Sequence, residues 1–209
     1  MRDWYRRKTW TKDDEEEFFA KLKRARKDGR AQYLKIQAIE LVETKDRQLL
    51  EIAEFLLNKI LNEYPEDNFN KSVALHTLGD VYNASGNYDR AIEYYKRSIE
   101  FEIVYPNVRT DSYLDFSELI VKTKRTKEYD FVETLLVKEL PHQIFPVSKY
   151  KIYSILSIIS SHKNNNERAK VFADLAEQNA NEETSGLRYH KLLGLVKASD
   201  RWFDRLIKR

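Results

Sequence analysis

The chain has no cysteine in 209 residues. That absence removes disulfides, thiolate catalysis and thiolate zinc sites together, and it is compatible with a reducing compartment. Glycine is almost as scarce, with five residues, and Gly29, Gly79, Gly86, Gly186 and Gly194 form neither a G-x-G-x-x-G nor a Walker pattern. Four prolines and five glycines are too few for the many turns of an all-β fold. No stretch approaches the roughly 18 uninterrupted apolar residues of a membrane span. The opening Met1-Arg2-Asp3-Trp4-Tyr5-Arg6-Arg7 has no apolar stretch behind its charges, so no secretory signal is expected and a cytoplasmic location is. Net charge is +3 although 34% of residues are charged. A balanced surface of that density suits solvated helices and gives no broad field for nucleic acid.

Signs of catalysis are absent. Histidines stand at 76, 142, 162 and 190 without an H-x3-H or H-E-x-x-H pair, so neither a metal site nor another cofactor is expected. There is no G-x-S-x-G elbow. The acidic run Asp13-Asp14-Glu15-Glu16-Glu17 is followed by Lys21, Lys23, Arg24, Arg26 and Lys27. Acids early and bases late complement a helix dipole, and Glu17 and Lys21 lie at i,i+4, so a solvated helix face is expected, with a basic contact surface as the alternative, and not a carboxylate pair tuned for acid–base work. Residues 1–36 hold twelve Lys and Arg against seven Asp and Glu, a modest basic bias.

What is present is helical periodicity with one sharp motif. Leu75, Leu78, Gly79 and Tyr82 are followed by Gly86, Tyr88, Ala91 and Tyr95. Gly79 lets two antiparallel helices approach, Gly86 suits a turn with φ above zero, Ala91 packs one helix on the other, and the tyrosines fill the volume around that contact. The spacing resembles the tetratricopeptide signature W-x2-L-G-x2-Y…A-x3-F, with Leu for Trp and Tyr for Phe. Weaker units flank it: Leu34, Ala38, Leu41 and Val42 with Ala53, Leu57, Ile60 and Pro65; Phe116, Leu119, Ile120 and Thr123 with Tyr129, Val132 and Leu136; Tyr153, Leu156, Ser157 and Ser160 with Ala169, Ala173 and Ala176. At the glycine position those units carry Leu41, Ile120 and Ser157. The spacings Ala53 to Ala91 and Tyr88 to Tyr129 exceed the family's 34 residues, which implies longer helices or turns.

The resemblance implies an all-α, right-handed array of antiparallel helix pairs of about eleven helices, in one domain over 1–209. Repeats fall near 34–66, 72–106, 113–146 and 150–181, with caps at 1–30 and 182–209. Thr11 is the expected N-cap of a first helix bearing Phe18, Phe19, Leu22 and Ala25. Leu187, Leu192, Leu195 and Val196 suggest a late helix, and Asp200 the cap of a last one with Trp202, Phe203, Leu206 and Ile207. Trp4, Tyr5 and Trp10 either fold back onto the front of the array or stand exposed as a contact site.

The same resemblance implies a groove lined by the first helix of each pair. Its positions are Val73, His76, Asp80, Asn83 and Ala84 in the clear unit, then Leu114, Ser117, Val121 and Lys124, then Lys151, Ser154, Ile158 and Ser161. Members that grip a peptide's terminal carboxylates use Lys and Asn there, whereas this chain offers His76, Asp80 and Glu118, and the two acids repel an acidic tail. Start to finish the chain resembles small bacterial tetratricopeptide proteins. The reading is a non-catalytic protein–protein interaction module holding a peptide or partner protein, in an adaptor, immunity or regulatory role. The alternative is RNA binding through Arg2, Arg6, Arg7 and Lys8 interleaved with Trp4, Tyr5 and Trp10.

Overall fold

The structure is a computed structural model that describes residues 3–207. Among the described residues it is all-α, with nine α-helices, four 3-10 helices and no strand. The helices are α1 (Lys12–Arg24), α2 (Arg30–Val42), α3 (Arg47–Glu63), α4 (Asn68–Ala84), α5 (Tyr88–Val104), α6 (Ser112–Lys122), α7 (Tyr129–Glu139), α8 (Pro146–His162) and α9 (Asn166–Ala180). They belong to two compact units, residues 1–112 and 113–209.

In the first unit α2 packs on α3 and α4 on α5, with α3 and α2 also against α4. The starts are fixed by short polar side chains that accept the orphan amides of a first turn. Thr11 and Asp14 form a reciprocal capping box on α1, Asp46 accepts from Gln48 and Leu49, Asp67 from Asn70, and Asn87 from Arg90. The expected stripe Leu34, Ala38 and Leu41 is buried, as are Ala53, Leu57 and Ile60 opposite. Helix α5 runs on to Val104, two residues short of Pro106. In the second unit α8 packs on α9, and Phe116 of α6 meets Phe131 of α7 edge-on with ring centroids 5.7 Å apart.

The turns inside the four pairs share one device. Lys45, Gly86, Lys124 and Asn164 each have φ between 55° and 79°, the left-handed region. In three of them the next amide reaches back five residues, Asn87 to Tyr82, Arg125 to Ile120 and Asn165 to Ser160, at 2.8 to 3.0 Å. This closes the helix in the manner of a Schellman cap. Counting seven residues back from each left-handed position gives Ala38, Gly79, Ser117 and Ser157, all small and all buried.

That register corrects two expectations. Leu41 and Ile120 do not stand at the glycine position; Ala38 and Ser117 do. Leu41 and Ile120 are one turn later, at the place of Tyr82. Ala38, Ser117 and Ser157, all small and buried, thus stand in α2, α6 and α8 where Gly79 stands in α4. Because lysine pays a steric penalty in the left-handed region of about 1–2 kcal/mol, Lys124→Gly should stabilise the chain. Lys124 is exposed and its side chain is not in the core. After the entropy that glycine adds to the unfolded chain, the expected gain is up to about 1 kcal/mol, read as a higher urea midpoint at unchanged m-value.

The C-terminal helix expected over 187–196 does not form. Gly186 and Gly194 both have positive φ, at 77° and 74°. The Ser185 amide donates to the Lys191 carbonyl at 2.7 Å and folds 185–191 into a loop. A 3-10 helix follows at Ala198–Arg205, and Asp200 is its third residue and not its cap, accepting from the Lys197 amide at 2.8 Å.

Candidate functional site

The site is clearest on α4. Tyr95 of α5 lies across Gly79, where a Cβ would overlap the edge of the ring, 2.9 Å from Cζ and nearer still to two other ring carbons. The fully buried ring carries its hydroxyl through to the far face of α4, where it donates to Asp80 at 2.7 Å. His76, one turn earlier, places Nε2 3.8 Å from the same carboxyl and its ring 5.8 Å from that of Tyr95. Val73, His76, Asp80 and Asn83 are all half-buried on this face and Ala84 is exposed. They form a row of mixed polarity on one side of one helix, and Asp80 is oriented from within the helix pair.

In the same register α2 contributes Lys35, Ile39 and Val42 at the places of His76, Asp80 and Asn83. The Lys35 ammonium rests 4.5 Å over the exposed Phe69 ring. Burial lowers the pKa of Lys35, and nearby Asp67 opposes that shift.

The second unit departs from the expected row. Leu114, Ser117, Val121 and Ser154 are buried in this structure, not half-open as in α4. Ser117 donates to the Tyr113 carbonyl at 2.6 Å. Lys124 is off the helix, in the left-handed turn. The physical reason is again the register: Glu118, and not Ser117, stands at the place of Asp80. Lys151, Ile158 and Ser161 of α8 are half-buried as a face should be. Glu118 accepts from Lys151 at 3.0 Å and from the indole of Trp202 at 3.0 Å. Burial opposes the charge on Lys151, but Glu118, Asp115 and Asp200 outweigh it and hold the pKa above the ordinary lysine value. Trp202 was not among the expected contact residues, and no spacing signal marks it.

The N-terminal aromatics fold back. Trp4 lies 5.2 Å from Phe18 and 5.0 Å from Tyr33, and Trp10 lies 5.3 Å from Phe18, which is fully buried. The buried Gln37 amide clamps the Arg7 backbone on both sides, accepting from its N–H at 3.0 Å and donating to its carbonyl at 2.7 Å. The cations are paired: Arg6 with Glu40 at 2.9 Å, Arg7 with Asp14 and Glu17, and Lys8 with Glu43 at 2.9 Å. Arg2 lies outside the described residues. No helix among the described residues is long and apolar enough to cross a membrane.

Residues 72–102, which are most of α4 and α5, match the family model described as Tetratricopeptide repeat. No curated protein and no solved structure matches the chain.

Proposed function

We propose that this chain, whose residues 72–102 are a tetratricopeptide repeat, is a non-catalytic module that holds a peptide or partner protein on the open faces of its first helices. The observation that carries the reading is the α4 row. Asp80 and His76 are fixed in place by a buried tyrosine and remain half-open to a ligand. Side chains ordered before binding lose less entropy when a partner arrives. Val73 supplies apolar contact beside them, and Asp80 disfavours a carboxylate-rich peptide. A partner of mixed apolar and polar surface with hydrogen-bond donors fits best. An adaptor or regulatory role follows from such a face, and it needs no cofactor.

RNA binding has less support. Arg6, Arg7 and Lys8 each already face a carboxylate, and a phosphate would have to displace those partners. The rings that would stack on bases are packed on one another and on Phe18 and Tyr33.

The test begins with a partner identified by co-purification from the native host and mass spectrometry. Asp80→Asn keeps an acceptor for the Tyr95 hydroxyl, so it can be combined with His76→Ala and Asn83→Ala without emptying the core. The triple variant should bind that partner at least about tenfold more weakly, since a few residues at an interface centre carry most of the binding energy and losing one costs about 2 kcal/mol or more. Its melting temperature should stay close to that of the parent. Undiminished affinity would move the site away from α4, with Trp4→Ala and Trp10→Ala as the next variants to assay.

A further inference from the structure

In the second unit part of the first-helix surface, around Glu118 of α6 and Tyr150 of α8, is already covered by residues 198–205 of the chain itself. Residues 198–205 form a 3-10 helix against α8. Trp202 donates its indole N–H to Glu118 of α6 at 3.0 Å. Tyr150 of α8 donates its hydroxyl to Asp204 at 2.9 Å. Between those two polar contacts Phe203 is fully buried, stacked on Trp202 with centroids 4.0 Å apart and edge-on to Tyr150 at 6.1 Å. Arg201 completes the contact, pairing with Glu177 of α9 at 3.1 Å and with its own neighbour Asp204 at 2.8 Å.

Two properties set this segment apart from the helices under it. Its hold on α6, α8 and α9 is through side chains; the amides of Asp200, Leu206 and Ile207 close on Lys197 and Phe203, within the segment itself. A 3-10 turn is also the weaker helical form. Residues 182–197 leading into it contain no helix or strand, turn twice through left-handed glycines, and leave Tyr189 and Leu192 80% and 78% exposed. The tether is tied to α8 where the Gly194 carbonyl accepts from the Val147 amide at 2.8 Å beside the Phe145 ring, so residues 195–197 are the hinge from which 198–207 can lift.

We propose that residues 198–207 are a displaceable occupant of a peptide-binding surface made by α6 and α8. The partner that replaces them presents an aromatic–aromatic–acidic segment of the kind Trp202-Phe203-Asp204. The proposal rests on reading first-helix faces as binding surfaces. The surface states its own requirements: Glu118 takes an N–H donor on a flat ring, the space beside Tyr150 takes a second ring, and the Tyr150 hydroxyl takes a carboxylate. A tether of this length holds the segment at an effective concentration of order millimolar. A partner in trans at micromolar concentration must therefore bind about a thousandfold more tightly than the free segment would to displace half of it.

The probe is a fluorescein-labelled synthetic peptide with the sequence of residues 198–207, titrated against the full chain and followed by anisotropy. Against the full chain carrying Trp202→Ala and Phe203→Ala, the peptide should bind at least about tenfold more tightly than to the parent, because the tethered competitor is weakened. Adding Tyr150→Phe to that variant should cost several-fold in affinity by removing the donor to the carboxylate. Equal affinity for parent and variant, or no binding to a variant that melts normally, would overturn the proposal. Should the variant fail to fold, hydrogen exchange on the parent decides. Amides of 198–207 should open well before those of α8 and lose protection as unlabelled peptide is added. Exchange of the segment in step with α8 would make it core, and the proposal would fail. These variants leave His76, Asp80 and Asn83 intact, so the result is read separately from the test of the α4 face.

Discussion

Gly79→Leu should unfold the α4–α5 pair, with a loss of about 3 kcal/mol or more, at the upper end for oversized core side chains. The cause is local and complete. Even a Cβ at this position would come far inside van der Waals contact with the Tyr95 ring, and the ring is fully buried with its hydroxyl bonded to Asp80. A leucine must therefore expel the tyrosine, opening the core and releasing the Asp80 carboxyl in one event. The sharper control is Gly79→Ala. In an ordinary helix interior that exchange stabilises by about 1 kcal/mol; here it should destabilise. Urea denaturation reads both variants, and a raised midpoint for the alanine variant would mean that Tyr95 does not lie where the contact requires.

The second large effect is expected at Glu102. Its carboxyl is buried on α5, and Oε1 is ringed by donors: the Thr110 hydroxyl at 2.6 Å, the Thr110 amide at 3.1 Å and the Ser98 hydroxyl at 3.2 Å. Ser72 stands 3.2 Å away with its hydroxyl also 2.6 Å from the Val108 carbonyl. Glu102→Ala should cost about 3 kcal/mol, because buried donors lose their acceptor while the space is left unfilled. Glu102→Gln retains a carbonyl oxygen at nearly the same place and should cost much less. Hydrogen exchange at the Thr110 amide distinguishes this from general damage, since that amide should lose protection before those in the middle of α5.

The α4–α5 pair was readable from its residues because each has one structural job and a fixed distance to the next: Gly79 beneath a ring, Gly86 in a left-handed turn, Ala91 in the seam. The other pairs use the same geometry with different residues, which hides them. Lys45 and Lys124 occupy left-handed positions where glycine would have marked the turn. Without that mark the glycine position was placed one helical turn late in α2 and α6, on Leu41 and Ile120. A shift of one turn keeps an apolar stripe on the same face, so the helices themselves were still found. The face residues did not survive it: Ser117 turns out to be in the seam, and Glu118 takes the place of Asp80. The run Leu187 to Val196 looked helical because its leucines fall at helical spacing, but periodicity carries no information about Gly186 and Gly194 entering and leaving the segment with positive φ. The contact of Trp202 with Glu118 spans 84 residues of sequence and leaves no local trace.

The seam between α8 and α9 reaches the close approach of α4 and α5 by other chemistry. Ser157 replaces Gly79 and donates its hydroxyl to the Ala169 carbonyl at 2.8 Å, while Ala173 takes the place of Tyr95. Glycine under tyrosine and serine beside alanine are thus two complete solutions, and half of either is not one. A lone serine under the tyrosine is a collision; a lone alanine over the glycine is a hole. Positions 79 and 95 therefore form one coupled unit, in which exchanging either residue alone is expected to destabilise the pair more than exchanging both.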